Sequence, residues 1–136
     1  MQPKMVYSEK QYAYYLELAR TACSPSSFVG SDMRYSSEFE VLEAELGKAH
    51  SIHGAGLPDW QKISEISEGI LLEHSKDLRV AAWLAWALYQ RDSLAGLLAG
   101  LGVLRELCER HWAQVYPVKL RTRIAVFGWL VSRLEQ

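Results

Sequence analysis

The sequence predicts an all-α fold, a single compact domain spanning residues 1–136, with about six helices packed as successive helical hairpins around a buried apolar central helix. Three observations carry this expectation. From Val80 to Tyr89 there is no charge on any side of a helical wheel, whereas a surface helix keeps a polar stripe at period 3.6, so other helices must enclose this one. Elsewhere apolar residues recur at helical spacing between short breaker segments. No stretch alternates apolar and polar residues between glycine turns, so strands are not expected.

The elements follow in chain order. Ser8 is suited to cap a first helix reaching about Ala22, with Tyr12, Tyr15, Leu16 and Ala19 on one face, and SPSSFVGSD (Ser24 to Asp32) breaks it. A second helix is expected from about Ser36 to Ala49. It places Phe39, Leu42, Leu46 and Ala49 inward and assigns Glu38, Glu40, Glu43 and Glu45 to a solvent-facing arc. His50 to Pro58 reads as a loop, after which Asp59 caps a third helix carrying Trp60, Ile63, Ile66, Ile70 and Leu71 to about His74.

Ser75 to Gln90 is the apolar central helix. Asp92 or Ser93 then caps a fifth, whose stripe of Leu94, Leu97, Leu98, Leu101, Leu104, Leu107, Cys108 and Val115 ends at Pro117. A sixth runs from about Lys119 to the end, with Leu120, Ile124, Phe127, Val131 and Leu134 as its inward side. No signature repeats at a period of about 30 to 45 residues, which argues against a helical-repeat array.

Composition excludes several function classes. Apolar residues are 49% of the chain, charged ones 23%, and the formal net charge is −1, so neither a disordered tail nor a polyanion-binding surface is indicated. Cys23 and Cys108 are the two cysteines and read as small apolar residues rather than a disulfide or metal site. No apolar signal segment precedes the first helix, which fits a reduced cytoplasmic location. The longest apolar run, Leu94 to Leu104, is too short for the roughly 20 residues a bilayer requires, so no direct membrane insertion is expected.

Catalytic and cofactor motifs are missing from the pattern. His50 and His53 bracket a loop, but no Cys, Asp or Glu joins them in a metal-ligand spacing. GAG at Gly54 to Gly56 is too short for a phosphate loop, and no nucleophile elbow is present. No catalytic, cofactor-binding or metal site is therefore assigned. The basic cluster of Arg110, His111, Lys119, Arg121 and Arg123 reads as a solvated face or a contact for an acidic protein rather than a nucleic-acid surface.

Four features remain. Asp77 suits the positive end of the central helix, and Arg79 there calls for a carboxylate partner from among Glu38, Glu45 and Asp32, fixing how the second and fourth helices meet. Arg79→Ala is expected to lower stability. Gly96 and Gly100, one turn apart, suggest close approach of another helix, an internal crossing in preference to a dimer contact. Trp129 points about 180° from the expected inward stripe of the last helix. It is then either covered by the N-terminal helix and its tyrosines, or exposed as an interaction patch with Val126, Leu130 and a polar rim at Arg133.

The segment SKDLRVAAWLAWAL (Ser75 to Leu88), followed by Gly96, Leu97, Gly100 and Leu101, resembles the ImpA N-terminal domain that opens the TssA proteins of the bacterial type VI secretion system. Supporting positions are YSSEFEVLEAEL (Tyr35 to Leu46), Pro58-Asp59-Trp60, Trp112 with Pro117, and Trp129-Leu130, so the likeness spans roughly Asp32 to Leu130. Within it Trp60, Asp77, Arg79, Trp83, Gly96 and Gly100 stand as motif positions.

The resemblance implies a non-enzymatic, cytoplasmic protein-interaction module with baseplate, sheath or membrane-complex proteins as partners, linked to baseplate recruitment and sheath assembly. It also implies that the family's C-terminal ring-forming region is absent from this chain, which would then be a monomer or weak dimer. Alternatives are a general cytoplasmic helical adaptor, or a related sheath-stopping or membrane-linked accessory protein.

Overall fold

The computed structural model describes residues 3–48 and 56–136, with residues 3–7 as backbone only. It is a single compact all-helical domain of five elements: α1 (Pro3–Arg20), α2 (Ser37–Gly47), α3 (Trp60–Glu73), α4 (Leu78–His111) and α5 (Leu120–Leu134). Among the described residues there is no strand, only isolated bridges. The two helices expected on either side of Asp92 and Ser93 are the two arms of α4, which no loop separates and which a break at Ser93 divides.

Side-chain caps start three of the helices. The Ser36 hydroxyl accepts from the Phe39 amide at 3.2 Å, Asp59 Oδ1 from Lys62 at 3.0 Å, and Asp77 Oδ1 from Arg79 at 2.8 Å. Each satisfies an amide that the helix start leaves without an intrahelical acceptor. Lys119 opens α5 without such a cap.

Ser93 breaks α4, at φ 58 and ψ −140, a backbone conformation that L-residues seldom adopt. The chain reverses there. A Cβ on Gly96 would lie 2.0 Å from the Leu88 carbonyl oxygen, and one on Gly100 only 2.4 Å from the Ala85 Cα. Contacts 88 with 96 and 85 with 100 are possible only if the two arms of α4 lie side by side in opposite directions.

The first arm is the core: Leu78, Val80, Leu84 and Leu88 have no exposure. The second arm departs from the stripe read off the sequence. Leu104 and Leu107 of that stripe are buried as expected, together with Gly96, Ala99, Gly100 and Val103, but Leu94, Leu98 and Leu101 are exposed. Small residues let the arms approach closely, so the helix turns its glycine side, not its leucine side, to the partner arm.

Around α4 pack α1, α3 and α5, with α2 set against α3 and α1 also touching α3. The segment 74–78 between α3 and α4 is clasped from both sides. Ser31 N donates to His74 O at 3.0 Å and Lys76 N to Val29 O at 2.8 Å; opposite, Tyr116 N donates to Lys76 O and Leu78 N to Tyr116 O. Gly30, at φ 71, is required here, since a Cβ would lie 2.0 Å from the His74 carbonyl oxygen.

Lys76 in this clasp is fully buried, donating to the carbonyls of Leu18 at 3.0 Å and Leu71 at 2.6 Å beneath the Phe28 ring. Burial holds its pKa below the ordinary lysine value. Between that lowered value and the unfolded one the unfolded chain binds more protons, so this group makes stability rise with pH up to about 10.4. In a Cys23→Ser background, which removes the thiol facing Lys76, the stability of the Lys76 protein relative to Lys76→Met should rise with pH toward that limit. Urea denaturation across the range reads it, and a flat difference would contradict a charged, desolvated Lys76.

Candidate functional site

The apolar wall of α4 has one opening, where Trp83 and Trp86 are half-buried amid fully buried neighbours. Three residues apart, they share a helix face. Trp60 at the start of α3 and Trp129 on α5 meet them there, so four tryptophans line a cleft of about 240 Å³. Glu43 and Arg133 supply its charged rim, and the Arg133 guanidinium stands 5.0 Å above the Trp129 ring. Trp83 and Trp129 also line a second cleft, of about 210 Å³, with Arg79, Ala82, Thr122 and Val126. The Phe39 ring supports Trp83 edge-on at 4.9 Å, and Arg79 stacks 5.0 Å over Phe39.

The expected interaction patch is divided by the structure. Val126 and Leu130 are core residues, 7% and 4% exposed, so they do not form an outer surface. Trp129 and Arg133 are half-buried and line the cleft. The cover over this side is α4; α5 packs on α4 and on no other described helix, and the N-terminal helix does not reach it. Conversely, the stripe read as inward is outward: Leu120, Ile124, Val131 and Leu134 are exposed. At about 100° per residue, α5 is turned a quarter-turn from the expected orientation, with Arg123, Val126 and Leu130 facing α4.

Arg123 explains the turn. Buried, it donates to the carbonyls of Pro117, Trp112 and Val115 and lies 4.5 Å from the Trp112 ring centroid, tying α5 to the end of α4. The basic cluster is thereby dispersed. Arg110 pairs with Glu106 at 2.8 Å, and His111 stacks on Phe28 at 3.8 Å, leaving Lys119 and Arg121 exposed.

Arg79 draws on two carboxylates. Asp77, on its own helix, takes Nε at 3.0 Å and Nη2 at 2.6 Å, while Asp32 is a looser partner at 3.4 Å. Glu38 and Glu45 are not partners. Contact with α2 is made through the Phe39 ring instead. Glu45, expected in solvent, is buried and accepts from the Asp59 amide at 2.8 Å, with Lys48 at 3.0 Å and Lys62 at 3.6 Å. These donors, the amide first, hold its pKa below the ordinary value.

Cys23 and Cys108 are unbridged and half-buried, and burial raises both thiol pKa values. His50 and His53 lie outside the described residues. Among the described residues no three His, Cys, Asp or Glu side chains converge as a metal site, and no helix is long and apolar enough to cross a membrane. What the cleft offers is aromatic surface with one charge of each sign at its rim, the chemistry of side-chain recognition. Nothing in the sequence marks Trp86, Glu43 or Leu46 as site residues, Leu46 reading as core and Glu43 as solvated; the spacing of Trp83 and Trp86 on an otherwise aliphatic face is the available signal.

Comparisons agree with this architecture. The family model described as ImpA, N-terminal, type VI secretion system, matches residues 21–132. The type VI secretion system component TssA1 of Pseudomonas aeruginosa is 35% identical over 103 residues, covering 71% of this chain and 30% of that protein. The solved N-terminal domain of the TssA component from Burkholderia cenocepacia, which includes the conserved ImpA_N region, superposes with a TM-score of 0.76 at 28% identity, covering 87% of this chain and 47% of that one. The present chain thus spans less than a third of the curated relative it matches.

Proposed function

The chain belongs to the ImpA N-terminal family of the type VI secretion system, and from that premise we propose that it is a non-enzymatic docking module which binds baseplate or sheath proteins in the cytoplasm and contributes to their recruitment and assembly. The tryptophan cleft carries this reading. Four indole rings around about 240 Å³, with Glu43 and Arg133 at the rim, offer an anchor pocket for an apolar or aromatic side chain of a protein partner. Indoles there cost little ordering entropy on binding, because packing against α3 and α4 already fixes them.

Trp129→Ala removes a ring that lines both clefts and is expected to weaken partner binding about 30-fold, the scale of one hot-spot residue. Glu43→Lys reverses a rim charge on an exposed position and leaves the core untouched. The test is capture of the tagged protein's partners from cells expressing the secretion machinery, followed by titration of each purified partner against wild type and both variants, with circular dichroism as the folding control. Recovery of baseplate or sheath components with wild type, and weaker binding by both folded variants, is the expected result. Equal affinity for the variants would remove the cleft from the reading. Partners drawn wholly from outside the secretion machinery would favour a general helical adaptor.

A further inference from the structure

The outward side of α5 has a pattern that its packing within the domain does not use. Leu120, Ile124, Phe127, Val131 and Leu134 are spaced 4, 3, 4 and 3 residues apart, the alternation of a two-helix seam. They fall within about 80° of one another on the helix. Four are exposed, by 60%, 62%, 53% and 41% for Leu120, Ile124, Val131 and Leu134, and Phe127 is half-buried at the centre. β-branched Ile124 and Val131 alternate with Leu120, Phe127 and Leu134, as a and d positions do. The aliphatic surface lies about 180° from Trp129, so occupying it leaves the tryptophan cleft open.

We propose that this face is a self-association seam, in which α5 packs antiparallel against α5 of a second copy of the chain. Charge selects the occupant and the direction. Arg121 and Glu135, both exposed, flank the stripe at its two ends on the same side. In an antiparallel pair with its two-fold near Phe127, Leu120 lies level with the second copy's Leu134, Ile124 within one residue of Val131, and Arg121 within two residues of Glu135 on the same side, twice over by the two-fold symmetry. A parallel pair would instead bring Lys119 and Arg121 of both copies to one end, together with two positive helix termini; the antiparallel pair sets each positive terminus beside a negative one. Gly128, exposed and with nothing within 4 Å of the Cβ position, lies next to the two-fold and does not hold the backbones apart.

A seam of one 15-residue helix per copy, about 22 Å long, is a small interface, so the dimer forms weakly, in the micromolar to millimolar range. Sedimentation velocity of the whole chain from about 10 μM to about 1 mM should show the mean mass rising toward twice that of the monomer. Ile124→Glu, at an exposed position, should leave the melting curve unchanged and hold the protein monomeric throughout. Arg121→Glu should weaken association about two- to tenfold, and adding Glu135→Arg should restore it.

Direction is read by cross-linking in a Cys23→Ser, Cys108→Ser background. Leu120→Cys mixed with Leu134→Cys should form the disulfide-linked pair, and either alone should form little. A monomer at the highest concentration, an Ile124→Glu protein that still dimerises, or Leu120→Cys linking to itself as readily as to Leu134→Cys would each overturn the proposal.

Discussion

Gly100→Ala is expected to destabilise the domain by about 3 kcal/mol or more, lowering Tm by about 10 °C, although alanine is the better helix former by up to about 1 kcal/mol. The new methyl would lie 2.4 Å from the Ala85 Cα and 2.6 Å from its Cβ. Neither is the mobile end of a side chain, so the arms of α4 must separate along their length, opening gaps around Leu84, Leu88 and Val103 in the core. Gly96→Ala meets the same obstacle at the Leu88 carbonyl oxygen, 2.0 Å away. Gly128→Ala is the internal control: nothing lies within 4 Å, and the substitution should be neutral or stabilising. Thermal and urea denaturation of the three variants decide the matter. A Gly100→Ala protein as stable as Gly128→Ala would contradict the close hairpin and leave only a propensity effect.

Asp77→Ala should cost about 3–5 kcal/mol, the scale for removing one member of a buried ion pair. The carboxylate has no exposure and serves two tasks, capping the start of α4 through the Arg79 amide and holding the Arg79 guanidinium with both oxygens. Its loss leaves an uncapped helix end and a mostly buried cation whose remaining acid, Asp32, is 3.4 Å away and half exposed. Arg79→Ala should also destabilise, by less, because Asp77 keeps its amide donor. Asp32→Ala should change stability by under about 1 kcal/mol, as exposed pairs do. The ranking is the test. If Asp32→Ala cost most, the clasp would depend on the 3.4 Å contact rather than on the cap.

Local signals in the sequence were reliable where one helix determines its own outcome. Asp59 caps α3 as expected, and α2 begins and α3 ends within a residue of the expected boundaries, whereas Ser8, expected as a cap, lies inside α1, which begins at Pro3. The family resemblance, resting on SKDLRVAAWLAWAL and the positions around it, agrees with the matching family model and with TssA1 of Pseudomonas aeruginosa. Errors arose where two helices compete for one surface. Hydrophobicity alone turns Leu94, Leu98 and Leu101 of the second α4 arm and the heptad stripe of α5 inward, but the arms of α4 approach through glycine and alanine, and α5 is set by the hydrogen bonds of Arg123 to three carbonyls. Glu45 was assigned to solvent for the same reason: its donor is the Asp59 amide, 14 residues away and absent from any helical wheel of α2.

By itself, then, the sequence determined an all-helical class, the Asp59 cap, an uncharged buried first arm of α4 and the type VI secretion family, because each is written in residue type and short-range spacing. Tertiary structure alone decided that the arms on either side of Ser93 meet through Gly96 and Gly100, that Lys76 and Glu45 are buried with their polar partners, and that four tryptophans far apart in the chain converge on one cleft. The physical reason is that a helix's periodicity fixes which residues share a face, whereas which face is buried depends on the shape and hydrogen-bonding groups of its neighbours.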